Sequence, residues 1–202
     1  MISDTHKCIF IHIPKCAGSS IEKFFTPDIE WCNQYHRTHC EQHLTFGEMA
    51  SLNCYGGNIT DYFKFTIVRN PWSRHVSAWQ FARERYKRTK KYSFRQFCMN
   101  LKNVCPQRGI NRIYYGLINR QQVDYITDDK KNIAVDFIGK VENLQEDFNT
   151  ICDKIGIPRQ ELPHHNKSKH KHYTEYYDDE TREIIAEKYA KDIEMFGYEF
   201  GE

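Results

Sequence analysis

Lys7-Cys8-Ile9-Phe10-Ile11-His12-Ile13-Pro14-Lys15-Cys16-Ala17-Gly18-Ser19-Ser20-Ile21-Glu22 is the stretch that decides the fold. Residues 7–13 form a short, apolar, β-branched run of the kind that makes a strand buried on both faces, and Pro14 stops it. Ser19 and Glu22 stand at the Ser-x-x-Glu spacing of a capping box, which predicts a helix from Ser19 with Ile21, Phe24 and Phe25 on one apolar face. Between strand and helix lies a turn of small residues that lets the backbone close around an anion, and Gly18 there can take a positive φ. The N–H groups opening the helix point into that space, with the positive end of the helix dipole behind them. Lys15 adds a full charge, and Ser19 and Ser20 add hydroxyl donors. Lys15, Cys16, Ala17, Gly18, Ser19 and Ser20 are therefore the candidate phosphate loop. The competing reading is a tight connection carrying a surface lysine.

The pattern repeats down the chain. Residues 63–69, Phe-Lys-Phe-Thr-Ile-Val-Arg, read as a second buried strand; Asn70 is a good N-cap, Pro71 suits the first helical position, and Trp72, Val76 and Trp79 share a face. Residues 135–139 read as a third strand, followed by a helix carrying Leu144, Phe148, Ile151 and Ile155 that ends at Gly156 before Pro158. Ser93 is placed to cap a shorter helix through Phe94, Phe97 and Leu101. A last helix is predicted from Asp179 to Phe196 with Ile185, Tyr189, Ile193 and Phe196 inward. Strands alternating with amphipathic helices imply parallel βαβ units, hence a three-layer α/β/α fold with a central parallel sheet. In such sheets ligands sit beyond the carboxyl ends of the strands.

A length of 202 residues suits one domain over residues 1–202. Hydrophobic residues at 40% and charged residues at 28% exclude a disordered chain, and a net charge of +2 means that anion binding must come from local clusters. No run approaches the roughly 18 apolar residues of a membrane span. The start, Met1-Ile2-Ser3-Asp4, has neither the basic nor the apolar region of a signal peptide. This points to the cytoplasm for a complete chain, or to the Golgi lumen for one that has lost an N-terminal anchor. The cysteines at 8, 16, 32, 40, 54, 98, 105 and 152 form no C-x-x-C pair. Cys8 in an apolar run and Cys16 in a tight loop are expected to be free thiols, which favours a reducing compartment.

The loop differs from the ATP and GTP phosphate loop, where lysine follows the second glycine; here Lys15 precedes Gly18. Residues 11–20, Ile-His-Ile-Pro-Lys-Cys-Ala-Gly-Ser-Ser, instead resemble the 5′-phosphosulfate loop of the sulfotransferase superfamily. The likeness is to the branch of carbohydrate sulfotransferases similar to the glycan 2-O-sulfotransferases. Residues 65–79 look like that family's 3′-phosphate motif, an arginine closing a strand (Arg69) and a serine eight residues on (Ser77). Residues 137–144 and 162–169 are also similar to segments of the branch, so the likeness covers most of the chain. It implies a P-loop-like fold that binds 3′-phosphoadenosine 5′-phosphosulfate (PAPS), with Asn166 and Ser168 helping to hold the nucleotide. It further implies transfer of a sulfuryl group to a hydroxyl acceptor, a glycan in this branch, with 3′-phosphoadenosine 5′-phosphate as product and no metal.

Catalysis of that kind needs a cation near the leaving phosphate, for which Lys15 serves, and a base for the acceptor hydroxyl. The segment Gln42-His43-Leu44-Thr45-Phe46 is similar to the motif carrying the catalytic histidine of uronyl 2-O-sulfotransferases, which makes His43 the candidate base. An ordinary imidazole accepts a proton near neutral pH. Glu41 and Glu48 are the alternatives. Cys32, His36, His39, Cys40 and His43 have spacings a zinc site could use, but the paired knuckles of zinc sites are missing. His164, His165, His170 and His172 read more simply as part of a basic loop. The basic run around Lys87, Arg88, Lys90 and Lys91 is a candidate surface for an anionic glycan, against the plainer reading of a solvated helix end. Two other functions compete. A nucleotide kinase or NTPase would lack its glycine–lysine order and a magnesium-binding carboxylate. A non-enzymatic polyanion-binding module has no use for two phosphate motifs, and the balanced charge speaks against nucleic acid.

Overall fold

In the computed structural model of the chain, residues 1–25, 41–51, 61–85, 92–102, 118–162 and 171–202 are described. Among them, four strands form one sheet in the order β1 (Ile2–Ser3), β2 (Cys8–Ile11), β3 (Phe63–Val68) and β4 (Phe137–Lys140). The helices are α1 (Gly18–Phe25), α2 (Phe46–Ser51), α3 (Pro71–Arg85), α4 (Phe94–Lys102), α5 (Val123–Ile126), α6 (Leu144–Ile155), α7 (Asp179–Lys188) and α8 (Ala190–Phe196). The result is a mixed α/β chain. It divides into two compact units, Met1–Val68 with Asp124–His165, and Arg69–Val123 with Asn166–Glu202.

The first unit carries the sheet. Cys8, Ile9, Phe10 and Ile11 are each at most 1% exposed, as a strand covered on both faces requires. β2 pairs with β3 in parallel, Ile11 opposite Thr66, and β3 pairs with β4 in parallel, Val68 opposite Lys140. The Thr66 hydroxyl donates to the Ile11 carbonyl at 2.8 Å, which satisfies a polar side chain in this apolar layer. β1 departs from the parallel sheet that the strand–helix alternation predicts: it runs antiparallel to β2, Ile2 opposite Ile9. A strand of two residues has no period to detect, and its pairing is made by the turn in which Lys7 takes a φ of 49°. Phe10, Ile21, Phe65, Ile67, Phe148 and Ile151 form the core, with α1 and α6 supplying the helical half. α6 ends as its sequence predicts: Gly156 is left-handed at φ 73°, and the Ile157 N–H returns to the Cys152 carbonyl at 3.0 Å.

The second unit is helical. Asn70 caps α3, its Oδ1 accepting from the N–H groups of Trp72 at 3.1 Å and Ser73 at 3.3 Å. Ser93 caps α4 through a reciprocal pair with Gln96. Trp72, Val76, Trp79, Phe94, Phe97, Ile185 and Tyr189 make its core. The single helix expected over 179–196 is two, broken at Tyr189, whose φ and ψ are −114° and 29°. Tertiary bonds redirect the chain there. Tyr189 donates its hydroxyl to the Ile118 carbonyl at 2.9 Å, and the buried Asp192 carboxylate accepts from the N–H groups of Gln122 and Val123 at 2.8 and 2.9 Å.

Candidate active site

The turn after β2 holds its shape with two left-handed residues. Lys15 has φ 69° and Ala17 φ 58°, while Cys16 and Gly18 between and after them do not. Such alternation turns successive N–H groups toward one side, the concavity that binds anions. Left-handed non-glycine residues cost of order 1 kcal/mol each, so this loop is held against a local preference. Cys16 is buried, its thiol 3.6 Å from the Pro14 carbonyl, and its N–H meets the Ile13 carbonyl at 3.3 Å. Cys8 and Cys16 are both free thiols.

Two expectations about this turn are corrected. Gly18 does not take a positive φ; it begins α1, and its importance is steric, because a Cβ there would fall 2.1 Å from the ring of His12. Ser19 lies inside α1 rather than ahead of it, and the Glu22 carboxylate points to partners outside the helix instead of closing a capping box. No carboxylate stands in the first turn of α1, and Lys23 stands in the last, so the helix dipole at the loop is uncompensated by its own side chains. Lys15, Ala17 and Ser19 are half-buried; Gly18 and Ser20 are buried.

His43 ends a three-residue 3-10 turn, Glu41–His43, beside the loop. Its Nδ1 lies 3.1 Å from the His12 carbonyl oxygen, and the two imidazoles meet edge to face at 4.4 Å. A carbonyl oxygen only accepts, so Nδ1 of the neutral His43 ring carries the hydrogen and Nε2 carries the lone pair. His12 is 4% exposed, with Nδ1 3.0 Å from Oε1 of Glu22 but off the line of a well-aligned hydrogen bond. Oε2 of Glu22 accepts from Nε2 of Gln42 at 2.6 Å. Sequence reasoning assigned none of His12, Glu22 and Gln42 to the site; Glu22 was read as a helix cap and Gln42 only as a neighbour of His43. Glu48, an alternative base, is occupied otherwise: its carboxylate accepts from the Thr45 N–H at 2.8 Å, and its own N–H donates to the Thr45 hydroxyl at 3.1 Å, a capping box at the start of α2.

In the second unit, Arg69 follows β3 directly in the chain. Gln122 grips its backbone from both sides, accepting from the Arg69 N–H at 2.9 Å and donating to its carbonyl at 2.8 Å. Nε of Arg69 donates to the Ser73 hydroxyl at 3.0 Å. Ser73 and Ser77 are one turn apart on the same face of α3, both half-buried. Ser73 is thus a further member of the 3′-phosphate candidate, and its i+4 spacing from Arg69 and to Ser77 was a signal that reveals it.

Asn166, Ser168, Lys87, Arg88, Lys90 and Lys91 lie outside the described residues, as do Cys32, His36, His39, Cys40, His164, His165 and His170. Nδ1 of His172 is 2.8 Å from the Thr174 hydroxyl. Among the described residues no group of three or more His, Cys, Asp and Glu side chains is arranged to hold a metal ion, and no helix is long and apolar enough to cross a membrane.

Comparison with known proteins adds an independent line. The model of a family described as the Sulfotransferase family matches residues 1–199. Carbohydrate sulfotransferase 9 of Homo sapiens is 22% identical over 220 residues, covering 95% of this chain and 47% of that protein. The chain thus spans about half the length of that relative. An uncharacterized protein of Archaeoglobus fulgidus is 34% identical over 99 residues, 49% of this chain and 72% of its own. No solved structure matches.

Proposed function

The chain belongs to the sulfotransferase family, and from that premise we propose that it moves a sulfuryl group from PAPS to a carbohydrate hydroxyl. Carbohydrate sulfotransferase 9, similar along 95% of the chain, supports that acceptor class. The observation that carries the donor assignment is the register of β2 and β3. They run parallel with Ile11 beside Thr66, so their carboxyl ends lie side by side. The loop of residues 14–20 continues one strand, and Arg69 is next in the chain after the other. A nucleotide with separate 5′ and 3′ anionic groups matches two such motifs.

The loop N–H groups, Lys15, Ser19 and Ser20 take the 5′-phosphosulfate; Arg69, Ser73 and Ser77 take the 3′-phosphate. The acceptor oxygen attacks sulfur in line as the bond from sulfur to the 5′-phosphate oxygen breaks. The hydroxyl proton passes to Nε2 of His43, and 3′-phosphoadenosine 5′-phosphate leaves with the negative charge that Lys15 offsets. The bond from His43 to the His12 carbonyl supports His43 as the base, and the capping role of Glu48 weighs against that alternative.

Calorimetry with 3′-phosphoadenosine 5′-phosphate, ATP and a short oligonucleotide tests the donor site. The first should bind at least about tenfold more tightly than ATP, and Lys15→Ala and Arg69→Ala should each weaken it by about tenfold, the size of one lost charge-assisted contact. Preference for ATP would return the chain to the NTPases; preference for the oligonucleotide would make it a polyanion binder. Labelled PAPS offered with desulfated heparin, chondroitin and a simple phenol then reads the acceptor class.

A further inference from the structure

We infer that His12 and Glu22 are positioning residues for the proton acceptor, fixing the turn Glu41–His43 so that His43 presents the lone pair of Nε2. The inference rests on the reading of His43 as the base. A 3-10 turn of three residues has almost no stability of its own, so its place must be set by what it touches. Three contacts help to set it. His43 donates from Nδ1 to the main-chain oxygen of His12 at 3.1 Å, its ring rests on the ring of His12 at 4.4 Å, and its neighbour Gln42 donates to Glu22 at 2.6 Å.

Two of these contacts trace to one carboxylate; the third is made to a main-chain oxygen just past the end of β2. Oε2 of Glu22 holds Gln42, and Oε1 stands 3.0 Å from Nδ1 of His12, so one side chain on α1 ties both the ring beneath His43 and the residue before it. The other faces of the His12 ring are closed by Gly18 and by Phe10, stacked at 5.6 Å. Exposures of 4% for His12 and 5% for Gln42 take these two side chains out of water, while Glu22 and His43 are half-buried. A buried carboxylate–imidazole pair adds little net stability, because desolvation offsets the attraction. It supplies direction. The same α1 that opens at the proposed phosphate loop thereby also aims the base.

Nitrogen NMR of the full chain, labelled at histidine and saturated with 3′-phosphoadenosine 5′-phosphate, reads this without an acceptor. His43 should be the Nδ1–H tautomer in the parent. In Glu22→Gln and in Gln42→Met it should move toward the Nε2–H form that free imidazole prefers. Gln42→Met leaves the His12–Glu22 pair intact and carries the test should Glu22→Gln fail to fold, as judged by circular dichroism. An Nε2–H tautomer in the parent overturns the inference, and so does an unchanged His43 in folded variants. With an acceptor from the labelled-PAPS panel, Glu22→Gln should lower kcat about tenfold with KM for PAPS within about twofold. Equal losses in both would mark Glu22 as a structural residue only. Turnover that survives His43→Ala would defeat the reading of His43 as base and leave the tautomer result standing, so the two failures are separable.

Discussion

Position 18 has no room for a side chain. A Cβ there would stand 2.1 Å from Cδ2 and from Nε2 of His12, a ring that is itself 4% exposed and cannot swing into solvent without losing Glu22 and His43. Gly18→Ala should therefore destabilise the chain by about 2 kcal/mol, the usual cost of overpacking. Adding His12→Ala should return part of that loss, since the ring is what the new methyl meets. Urea unfolding of the four chains measures the coupling, and an identical cost of Gly18→Ala with and without the His12 ring would refute the clash. The same residues show what local sequence reveals. The candidate phosphate loop stands out in the string because its small residues, lysine and serines are contiguous, and the chemistry they offer does not depend on distant partners. Glu22 was misread as the partner of Ser19 because a carboxylate three residues after a serine is the signature of a capping box, and a carboxylate tied to residues 12 and 42 looks the same in a string. Ser73 was within reach, standing at helical spacing between Arg69 and Ser77.

Among the elements, α3 shows how a sequence signal acquires a second role. Asn70 was legible as its N-cap, and Oδ1 does accept from Trp72 and Ser73. Its Nδ2 also donates to the Glu199 carbonyl at 2.8 Å, binding the chain's last residues to the start of the helix, and no pattern near residue 70 reports that. Asn70→Ala should cost more than a cap alone, about 2 kcal/mol, because the Glu199 carbonyl loses its donor as well. Asn70→Asp keeps the cap and drops the donor, so its stability should fall between the parent and the alanine variant. Chemical denaturation orders the three; an alanine variant as stable as the parent would remove both roles. The ends of α4 and α6 were equally legible, since Ser93 with Gln96 and Gly156 are local devices. The break at Tyr189 was not, because the α7–α8 stretch keeps its apolar period across it and the chain turns there to satisfy Asp192 and Tyr189.

At the level of the molecule, alternation of strands and helices was enough to assign a mixed α/β chain, whereas the sheet's edge was beyond it: β1 is two residues long and is defined only by its partner. The division of the chain into two compact units was equally hidden, because each joins segments far apart in sequence. Such distant packing also decides how the second unit answers acid. His75 is 1% exposed, lies against Phe97 at 4.8 Å and Phe94 at 6.0 Å, and neither ring nitrogen has a hydrogen-bond partner among the described residues. Burial, and secondarily the charge of Arg74, lower its pKa to about 3. The unfolded chain takes up this proton as pH falls through about 6.5, the folded chain only near 3. Between those values the unfolded state binds more protons, so stability declines as pH drops through the window, while above it His75 contributes no pH dependence. His75→Phe removes a protonatable ring that makes no hydrogen bond and leaves aromatic packing in its place. It should stabilise the chain by about 1 kcal/mol at pH 7 and flatten the decline between pH 6.5 and 4. Urea midpoints at pH 7, 5.5 and 4 measure both effects. A decline as steep as the parent's would mean that the acid-sensitive group lies elsewhere, with the carboxylates whose pKa values are held low, such as Asp178 at the cap of α7, the next to replace.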